Sequence, residues 1–196
     1  MHLSYEKVIA QIDIDGFLKQ LRAIYASMDL KYSEAAAYYE FNCTGCEDNC
    51  CLTRFFHHTV LEYLYILEGF HNLNPEKQTE IKARALEVRR KSVEADIKGK
   101  PVRRMCPLNS DGKCILYSRR PMICRLHGIP HELHSPGRNI TYGLGCEAFS
   151  KYCSKRDYYR FDRTPFYMEM AYLEKDLKQA AGITTKVKMT VADMLV

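Results

Sequence analysis

Four cysteines fall within the nine-residue run Cys43-Thr-Gly-Cys46-Glu-Asp-Asn-Cys50-Cys51, and five more follow in the remainder of the 196-residue chain. A chain of this length buries enough apolar surface to fold without covalent cross-links. An odd total of cysteines also argues against complete internal pairing. We therefore predict that the clustered cysteines bind metal as thiolates, whereas export to an oxidising compartment would favour a disulfide framework instead.

Charge and hydropathy place few other constraints on function. The net charge of +5 is mild and does not require a nucleic-acid partner. Residues 1–10 lack the basic start and apolar stretch of a secretory signal, and no apolar run is long enough to cross a bilayer. We expect a cytoplasmic protein without a membrane segment. We also expect a single domain over residues 1–196, made of an N-terminal helical segment (1–42), a cysteine-cluster core (43–155) and a C-terminal helix and tail (156–196).

Four segments have the apolar periodicity or the end signals of helices. They are Ile14–Met28 with an extension to Phe41 left open, Phe55–Phe70, a helix capped by Asn74 and ended by Gly99, and a helix that starts at Thr164-Pro165. Residues 101–155 have no sustained period, and residues 187–196 fit either a short strand or a loose tail. The sequence thus predicts a mainly α fold: a small helical domain with a cysteine-rich, irregular metal-binding region between helices.

The spacing within the first cluster argues against a simple zinc finger. Cys43 and Cys46 are separated by two residues including a glycine, which lets one strap supply two ligands to one ion. Cys50 and Cys51 are adjacent, so in ordinary backbone geometry their side chains point apart. They then serve two metals or two corners of a polynuclear centre, or only one of them is a ligand.

The second group of cysteines lies around a turn signal. Asp111-Gly112 predicts a turn that brings Cys106 back towards Cys114. Positive charge follows closely in sequence, beside a site that thiolates would make anionic. The arginines concerned are Arg119, Arg120 and Arg125, and the remaining cysteines are Cys124, Cys146 and Cys153.

These motifs together resemble the CxxCxxCC family, the YkgJ-type zinc- or iron-chelating domain, over residues 41–147. The matching elements are Cys43-x2-Cys46-x3-Cys50-Cys51, Cys106-Pro-Leu, Asp111-Gly-x-Cys114-Ile-x-Tyr117, Arg120-Pro-x2-Cys124-Arg125 and Gly-x-Gly-Cys146. The gap before Cys50 is one residue longer than the family name suggests. The resemblance implies metal chelation by eight cysteines: Cys43, Cys46, Cys50, Cys51, Cys106, Cys114, Cys124 and Cys146. A related branch of the family contains flagellin lysine-N-methylases, which use S-adenosylmethionine.

Other residues near the clusters have plainer interpretations. Cys153, outside the eight, is as well explained by a small buried side chain as by metal ligation. His57 and His58 follow the first cluster and could complete a site, although a histidine at a helix start more often hydrogen-bonds locally. Loop or outer-sphere roles are favoured for His127, His131 and His134.

Eight thiolates suit either iron–sulfur clusters or two zinc ions, and the adjacent cysteines and irregular gaps favour iron–sulfur. Three functions stay open: a structural or redox metal protein, an S-adenosylmethionine-dependent protein lysine N-methyltransferase-like enzyme, and a zinc-dependent nucleic-acid adaptor. The third would use residues 82–104, which hold nine Lys and Arg against three acids. Because such a run is more often the solvated face of a helix, we favour the first function, with enzymatic activity, substrate and partner undetermined.

Overall fold

The computed structural model describes residues 12–42, 50–153 and 156–196. Within these residues the fold is mainly α-helical, as the sequence predicts. The helices are α1 (Ile14–Tyr39), α2 (Val60–His71), α3 (Pro75–Ile97), α4 (Met122–Leu126), α5 (Glu147–Cys153), α6 (Thr164–Ala180) and α7 (Val191–Met194). No helix in this described part of the chain has both the length and the apolar character needed to cross a membrane.

Helix α1 includes the extension that the sequence left open. The carboxylate of Asp13 accepts a hydrogen bond from the backbone N–H of Gly16 and caps the start of the helix. The helix continues through Tyr39 and ends where Glu40 adopts a left-handed backbone conformation. Of the predicted apolar stripe, Leu18, Leu21, Tyr25 and Met28 are buried and the other members are half-buried. The helix packs against α2, α4 and α6.

Helix α2 begins at Val60, so the prediction of a helix from Phe55 was wrong at its start. Thr59 is the N-cap, and its hydroxyl oxygen accepts a hydrogen bond from the backbone N–H of Glu62. Ahead of the cap, His57 and Met189 exchange two backbone hydrogen bonds of 2.7 and 2.9 Å in an antiparallel bridge. This pairing holds the preceding segment extended, and apolar periodicity alone gives no sign of it.

Helix α2 is buried on all sides and forms the centre of the core. Ten of its residues are buried, and α1, α6 and α7 pack against it. Its first turn is closed by a distant side chain, because the carboxylate of Glu174 in α6 accepts hydrogen bonds from the backbone N–H groups of Val60 and Leu61. The amide donors at the start of α2 are thereby satisfied inside the core.

Helices α3 and α6 start close to their predicted signals. The side chain of Asn74 caps α3 and Pro75 is its first residue, while Gly99 takes a positive φ of 59° just beyond its end. Helix α6 begins at Thr164, but the Thr164 hydroxyl accepts a hydrogen bond from the backbone N–H of His134 instead of capping the helix. The start signal therefore located the helix but not the role of the threonine.

The segment between α3 and α6 is built from short elements, in keeping with its lack of sequence period. Two antiparallel hairpins, β1–β2 and β3–β4, alternate with single helical turns; the strands are β1 (Asn109–Ser110), β2 (Lys113–Cys114), β3 (His131–Leu133) and β4 (Thr141–Gly143). Residues 187–196 form neither predicted alternative. They hold Met189 in the bridge to His57 and then the helix α7, which begins with a capping box between Thr190 and Asp193.

Candidate metal centre

Six of the eight cysteines implied by the family resemblance line a single cavity of about 820 Å³. They are Cys50, Cys51, Cys106, Cys114, Cys124 and Cys146. The other two, Cys43 and Cys46, lie outside the described residues. Cys153 is buried at the end of α5 and is not among the described residues that line the cavity. The fold thus brings together six cysteines that are up to 96 positions apart in sequence.

Backbone pairing connects the first cysteine cluster with the second. Cys50 and Cys51 lie in a single 3₁₀ turn, and the backbone N–H of Cys106 donates a hydrogen bond of 2.8 Å to the carbonyl oxygen of Cys51. The predicted turn at Asp111-Gly112 is present, with both residues at positive φ, and it pairs Cys114 with Asn109 across the hairpin. The hairpin thereby returns Cys114 to the vicinity of Cys106.

The two later cysteines are held by their own local contacts. Cys124 lies within the single-turn helix α4, close to the start of α2. The backbone N–H of Cys146 donates a hydrogen bond of 3.0 Å to the carbonyl oxygen of Gly128, and the Phe149 amide approaches the Cys146 sulfur at 3.4 Å. Cys146 therefore enters the cavity from a loop that is fixed against the chain following α4.

The thiols lie close enough to influence each other's ionisation. Burial raises the pKa of Cys106 to about 12, and the neighbouring Cys51 and Cys114 contribute to the rise. Burial also raises the pKa of Cys124 well above its ordinary value, with smaller contributions from Cys106, Cys114 and Cys51. The pKa of Cys114 is raised by burial in the same way. A bound cation would reverse this penalty, because it stabilises the thiolate forms.

Cys51 is the exception within the group. A hydrogen bond from Cys50 is the largest cause that lowers the pKa of Cys51 to about 6, and it outweighs the effect of burial. The nearby side-chain amide of Asn109 and the positive charge of Arg120 also lower the pKa of Cys51. Sequence reasoning missed Asn109, because only the hairpin geometry brings its amide beside Cys51.

Of the three arginines expected beside the site, one acts on the thiols directly. Arg120 lowers the pKa of both Cys51 and Cys114. Arg119 forms an ion pair with Glu68 instead, and Arg125 is buried against Asp29 at 2.6 Å. These two arginines fix the segment that carries α4 and do not supply charge to the cysteines.

None of the seven described cysteines is joined to another by a disulfide. No three of their sulfur atoms lie within 4.8 Å of one another in this part of the chain. A thiol-lined cavity with this donor set fits a soft metal centre, because Cys sulfur is the ligand that zinc and iron–sulfur clusters select. The residues present are thus chemically suited to the group that the resemblance implies.

His57 is a buried histidine in the wall of the same cavity. Its Nδ1 lies 3.8 Å from Oε1 of Glu62, which is also buried. The Glu62 carboxylate accepts hydrogen bonds from the Thr59 hydroxyl at 2.7 Å and from the backbone N–H of Met122 at 3.0 Å. Thr59 and Glu62 have capping-box spacing, but sequence reasoning did not single out Glu62, because an acid in the first turn of a helix is normally solvent-exposed. By contrast, His58 is exposed.

A second cluster of metal-binding residue types lies away from the cysteines. Donor atoms of Glu132, His134 and Asp162 all fall within 4.8 Å of one another, the one such group of three in the described residues. Its charges are already matched, because Arg160 donates to Glu132 at 2.8 Å and the backbone N–H of Thr164 donates to Asp162 at 2.8 Å. The loop or outer-sphere role of His134 stays a prediction.

The neighbouring histidines do not join the cysteines as a group. His131 lies on strand β3, where burial lowers its pKa to about 4, and its ring lies against Gly143 on the paired strand β4. His127 lines the cavity and packs edge-on against Phe55, with ring centroids 5.2 Å apart.

Comparisons of the chain with family models, with curated proteins and with solved structures found no match.

Proposed function

We propose that this protein holds a metal centre through its clustered cysteines, with a structural or redox role. The ligands would be the eight cysteines of the family resemblance: Cys43, Cys46, Cys50, Cys51, Cys106, Cys114, Cys124 and Cys146. An iron–sulfur cluster would supply electron transfer or rigid cross-linking of the segments that carry the cysteines, and zinc would supply cross-linking alone. The cytoplasmic location stays a prediction that agrees with the need for reduced thiols.

The observation that carries the proposal is the convergence of six cysteines on one cavity. Cys51, Cys106 and Cys114 also lie close enough to Cys124 to raise the pKa of its thiol. Without a cation, thiols that are buried side by side stay mostly protonated. A bound metal stabilises their thiolate forms, so metal binding stabilises the folded protein. Metal ligation can supply on the order of 10 kcal/mol of folding free energy.

The adjacency of Cys50 and Cys51 and the irregular gaps between the cysteines favour iron–sulfur over zinc. In a polynuclear cluster the two neighbouring thiolates can bind different iron atoms.

Anaerobic purification, elemental analysis and an absorption spectrum test the proposal. We expect a coloured protein containing iron and acid-labile sulfide; a colourless protein with stoichiometric zinc would select the other metal. Cys114→Ser should lower the metal content and the stability together. Cys153→Ser is the matched control, and it should keep the metal. A wild-type protein that lacks both metals after anaerobic purification would contradict the proposal.

The size of the cavity favours one second candidate, the S-adenosylmethionine-dependent methyltransferase-like enzyme. Its volume of about 820 Å³ exceeds what an ion or a small cluster needs and falls in the range of small-molecule pockets, about 300–1,000 Å³. Isothermal calorimetry with S-adenosylmethionine and the metal-loaded protein tests this candidate. Absence of binding at millimolar cofactor would remove it and leave the metal proposal unaffected.

The nucleic-acid alternative gains no comparable support. Along α3, many cations of residues 82–104 are paired: Arg90 and Lys91 contact Glu87, and Arg89 contacts Asp193 at 2.9 Å. Paired surface charges are the ordinary state of a solvated helix face. Salt-dependent binding to DNA or RNA would be the measurement that revives this alternative.

A further inference from the structure

His57 is an unusual buried histidine, because its imidazole ring makes no hydrogen bond among the described residues. Its side chain is 1% exposed, and neither ring nitrogen is satisfied within this part of the chain. A buried polar group without a partner costs about 1–3 kcal/mol, so such groups are rare unless an ion or water completes them. The cavity wall that contains the ring also contains six cysteines.

The backbone of His57 is fixed before any ligand binds. Its N–H donates to the carbonyl oxygen of Met189 and its carbonyl oxygen accepts from the Met189 N–H, so the residue is pinned on both sides. Two residues later the cap at Thr59 begins α2. The imidazole therefore projects from a rigid element, as a preorganised ligand should.

Glu62 lies on the Nδ1 side of the ring. Its carboxylate is held by Thr59 and by the Met122 amide, and it lies 3.8 Å from Nδ1 of His57. A carboxylate on one ring nitrogen is the usual outer partner of a metal-binding histidine, since it places the proton on that nitrogen and leaves the other lone pair available. In this arrangement the available atom is Nε2 of His57.

Glu62 also connects His57 to the cysteines. The Met122 amide that donates to Glu62 is two residues from Cys124 in α4, and the charge of Glu62 contributes to the raised pKa of the Cys124 thiol. The start of α2 and the helix that carries Cys124 are therefore joined through one carboxylate.

We infer that His57 is a nitrogen ligand of the metal centre, oriented by Glu62, in addition to the cysteines. The inference rests on the proposed function, because it requires a metal in the cysteine-lined cavity. In an iron–sulfur cluster, an imidazole in place of a thiolate raises the reduction potential, while in a zinc site it reduces the negative charge of the complex. Glu62 is a positioning residue in this scheme.

Isotope labelling tests the inference on the wild-type protein. The chain is produced with ¹⁵N-histidine and purified anaerobically, and its metal is identified. If iron is present, the dithionite-reduced protein is studied by pulsed electron paramagnetic resonance; if zinc is present, the first coordination shell is measured by X-ray absorption. We expect a histidine ¹⁵N coupling in the iron case and one nitrogen neighbour in the zinc case.

Three variants assign the signal. His57→Cys should retain metal and lose the nitrogen signal, because a thiolate replaces the imidazole. His58→Ala, at the exposed neighbour, should leave the signal unchanged. Glu62→Gln should keep the signal but retain metal about 10- to 100-fold less well against a chelator, the usual effect of losing an outer partner.

The outcomes separate this inference from the proposed function. Wild-type protein that binds metal without any histidine nitrogen would overturn the inference and leave the metal proposal standing, with an ordered water as the partner of His57. A nitrogen signal that persists in His57→Cys would overturn the inference as well, since another histidine would then be the ligand. Wild-type protein without metal would overturn both.

Discussion

The backbone N–H of Cys106 donates a hydrogen bond of 2.8 Å to the carbonyl oxygen of Cys51. This contact and the antiparallel bridge between Thr53 and Arg103 join the first cysteine cluster to the segment that carries the second. The thiols of these two residues, Cys51 and Cys106, differ in ionisation: the pKa of Cys51 is lowered to about 6, whereas the pKa of Cys106 is raised to about 12. The difference arises because the Cys50 side chain and the nearby Asn109 amide favour the thiolate of Cys51, whereas burial dominates at Cys106.

This contrast predicts the order in which the thiols of the metal-free protein react with an alkylating agent. The thiolate is the reactive form. With a pKa of about 6, Cys51 is mostly thiolate at neutral pH and Cys106 almost entirely thiol. Limited iodoacetamide treatment at pH 7, followed by peptide mass spectrometry, should modify Cys51 first. Lowering the pH from 7 to 5 should slow that modification about tenfold.

Variants at Cys50 provide the control for this reactivity. Cys50→Ser keeps a hydrogen-bond donor and should preserve the fast reaction of Cys51, whereas Cys50→Ala removes the donor and should slow it. Equal labelling of Cys51 and Cys106 in the wild-type protein would show that the hydrogen bonds to Cys51 do not control the thiolate population.

The helical part of the fold was predictable because local signals agreed with burial. Helix α3 has both of its predicted ends, since the cap at Asn74 and the glycine at Gly99 act within a few residues of the chain. The extended segment before α2 was not predictable from periodicity, since it is held by the pairing of His57 with Met189, more than 130 residues away. Local periodicity has no information about such a partner.

The candidate site likewise has features that local sequence signals predict and features that depend on distant contacts. Cysteine spacing predicted the groups that line the cavity, and Asp111-Gly112 predicted the hairpin that returns Cys114, because turn chemistry is local. The roles of Asn109 and Glu62 depend on contacts between distant segments and could not be predicted from their sequence neighbourhoods. The ligand role of the cysteines themselves stays a prediction.

Gly128 should be intolerant of any side chain. Its φ is +112°, and a Cβ there would lie 3.1 Å from the Tyr32 hydroxyl oxygen and 3.2 Å from Cε1 of Phe41. We expect Gly128→Ala to cost about 1–3 kcal/mol from backbone strain and crowding. Because the Gly128 carbonyl oxygen accepts from Cys146, metal retention should fall as well. Urea unfolding and metal analysis measure the two effects.

Gly99 provides the matched control for this substitution. It has a positive φ of 59°, and a Cβ there would meet no described atom within 4 Å. Gly99→Ala should therefore cost only about 1 kcal/mol, from the left-handed conformation alone. Equal costs at Gly99 and Gly128 would mean that the close approach of Tyr32 and Phe41 adds nothing.

Glu174 should make stability fall as the pH rises above the ordinary pKa of a glutamate. Burial raises the pKa of Glu174 despite the hydrogen bonds from Val60 and Leu61. A carboxyl group with a raised pKa binds its proton more tightly in the folded state, so its contribution is complete below pH 4.5 and is lost as pH rises through the folded-state pKa. Urea unfolding between pH 4 and 7 measures this loss.

Substitution isolates the contribution of this residue. Glu174→Gln has no titrating group, so the stability of the wild type relative to this variant should decline from pH 4 to pH 7. Glu169→Gln, at an exposed carboxylate on the same helix, gives the baseline for the charge change. A wild-type advantage that grows with pH would contradict the direction of the shift.

We expect Arg125 to stabilise the segment that carries Cys124 by more than its ion pair with Asp29 alone would. It is 6% exposed, and its guanidinium donates to the carbonyl oxygens of Arg120 and Ser118 and stacks 4.2 Å from the ring centre of Tyr25. Lysine cannot reproduce this fork of donors. We expect Arg125→Lys to cost about 2–4 kcal/mol in urea unfolding, because buried carbonyl groups lose charged partners.

Substitution of Asp29, the partner of Arg125 in the ion pair, separates the contribution of the ion pair to stability from that of the carbonyl contacts. Its side chain is 47% exposed, so Asp29→Asn should cost at most about 1 kcal/mol. Arg125→Lys should also loosen the turn before α4 and reduce metal retention through Cys124, which Asp29→Asn should leave unchanged. If both variants lose the same stability and the same metal, the exposed ion pair, and not the buried carbonyl contacts, fixes this segment.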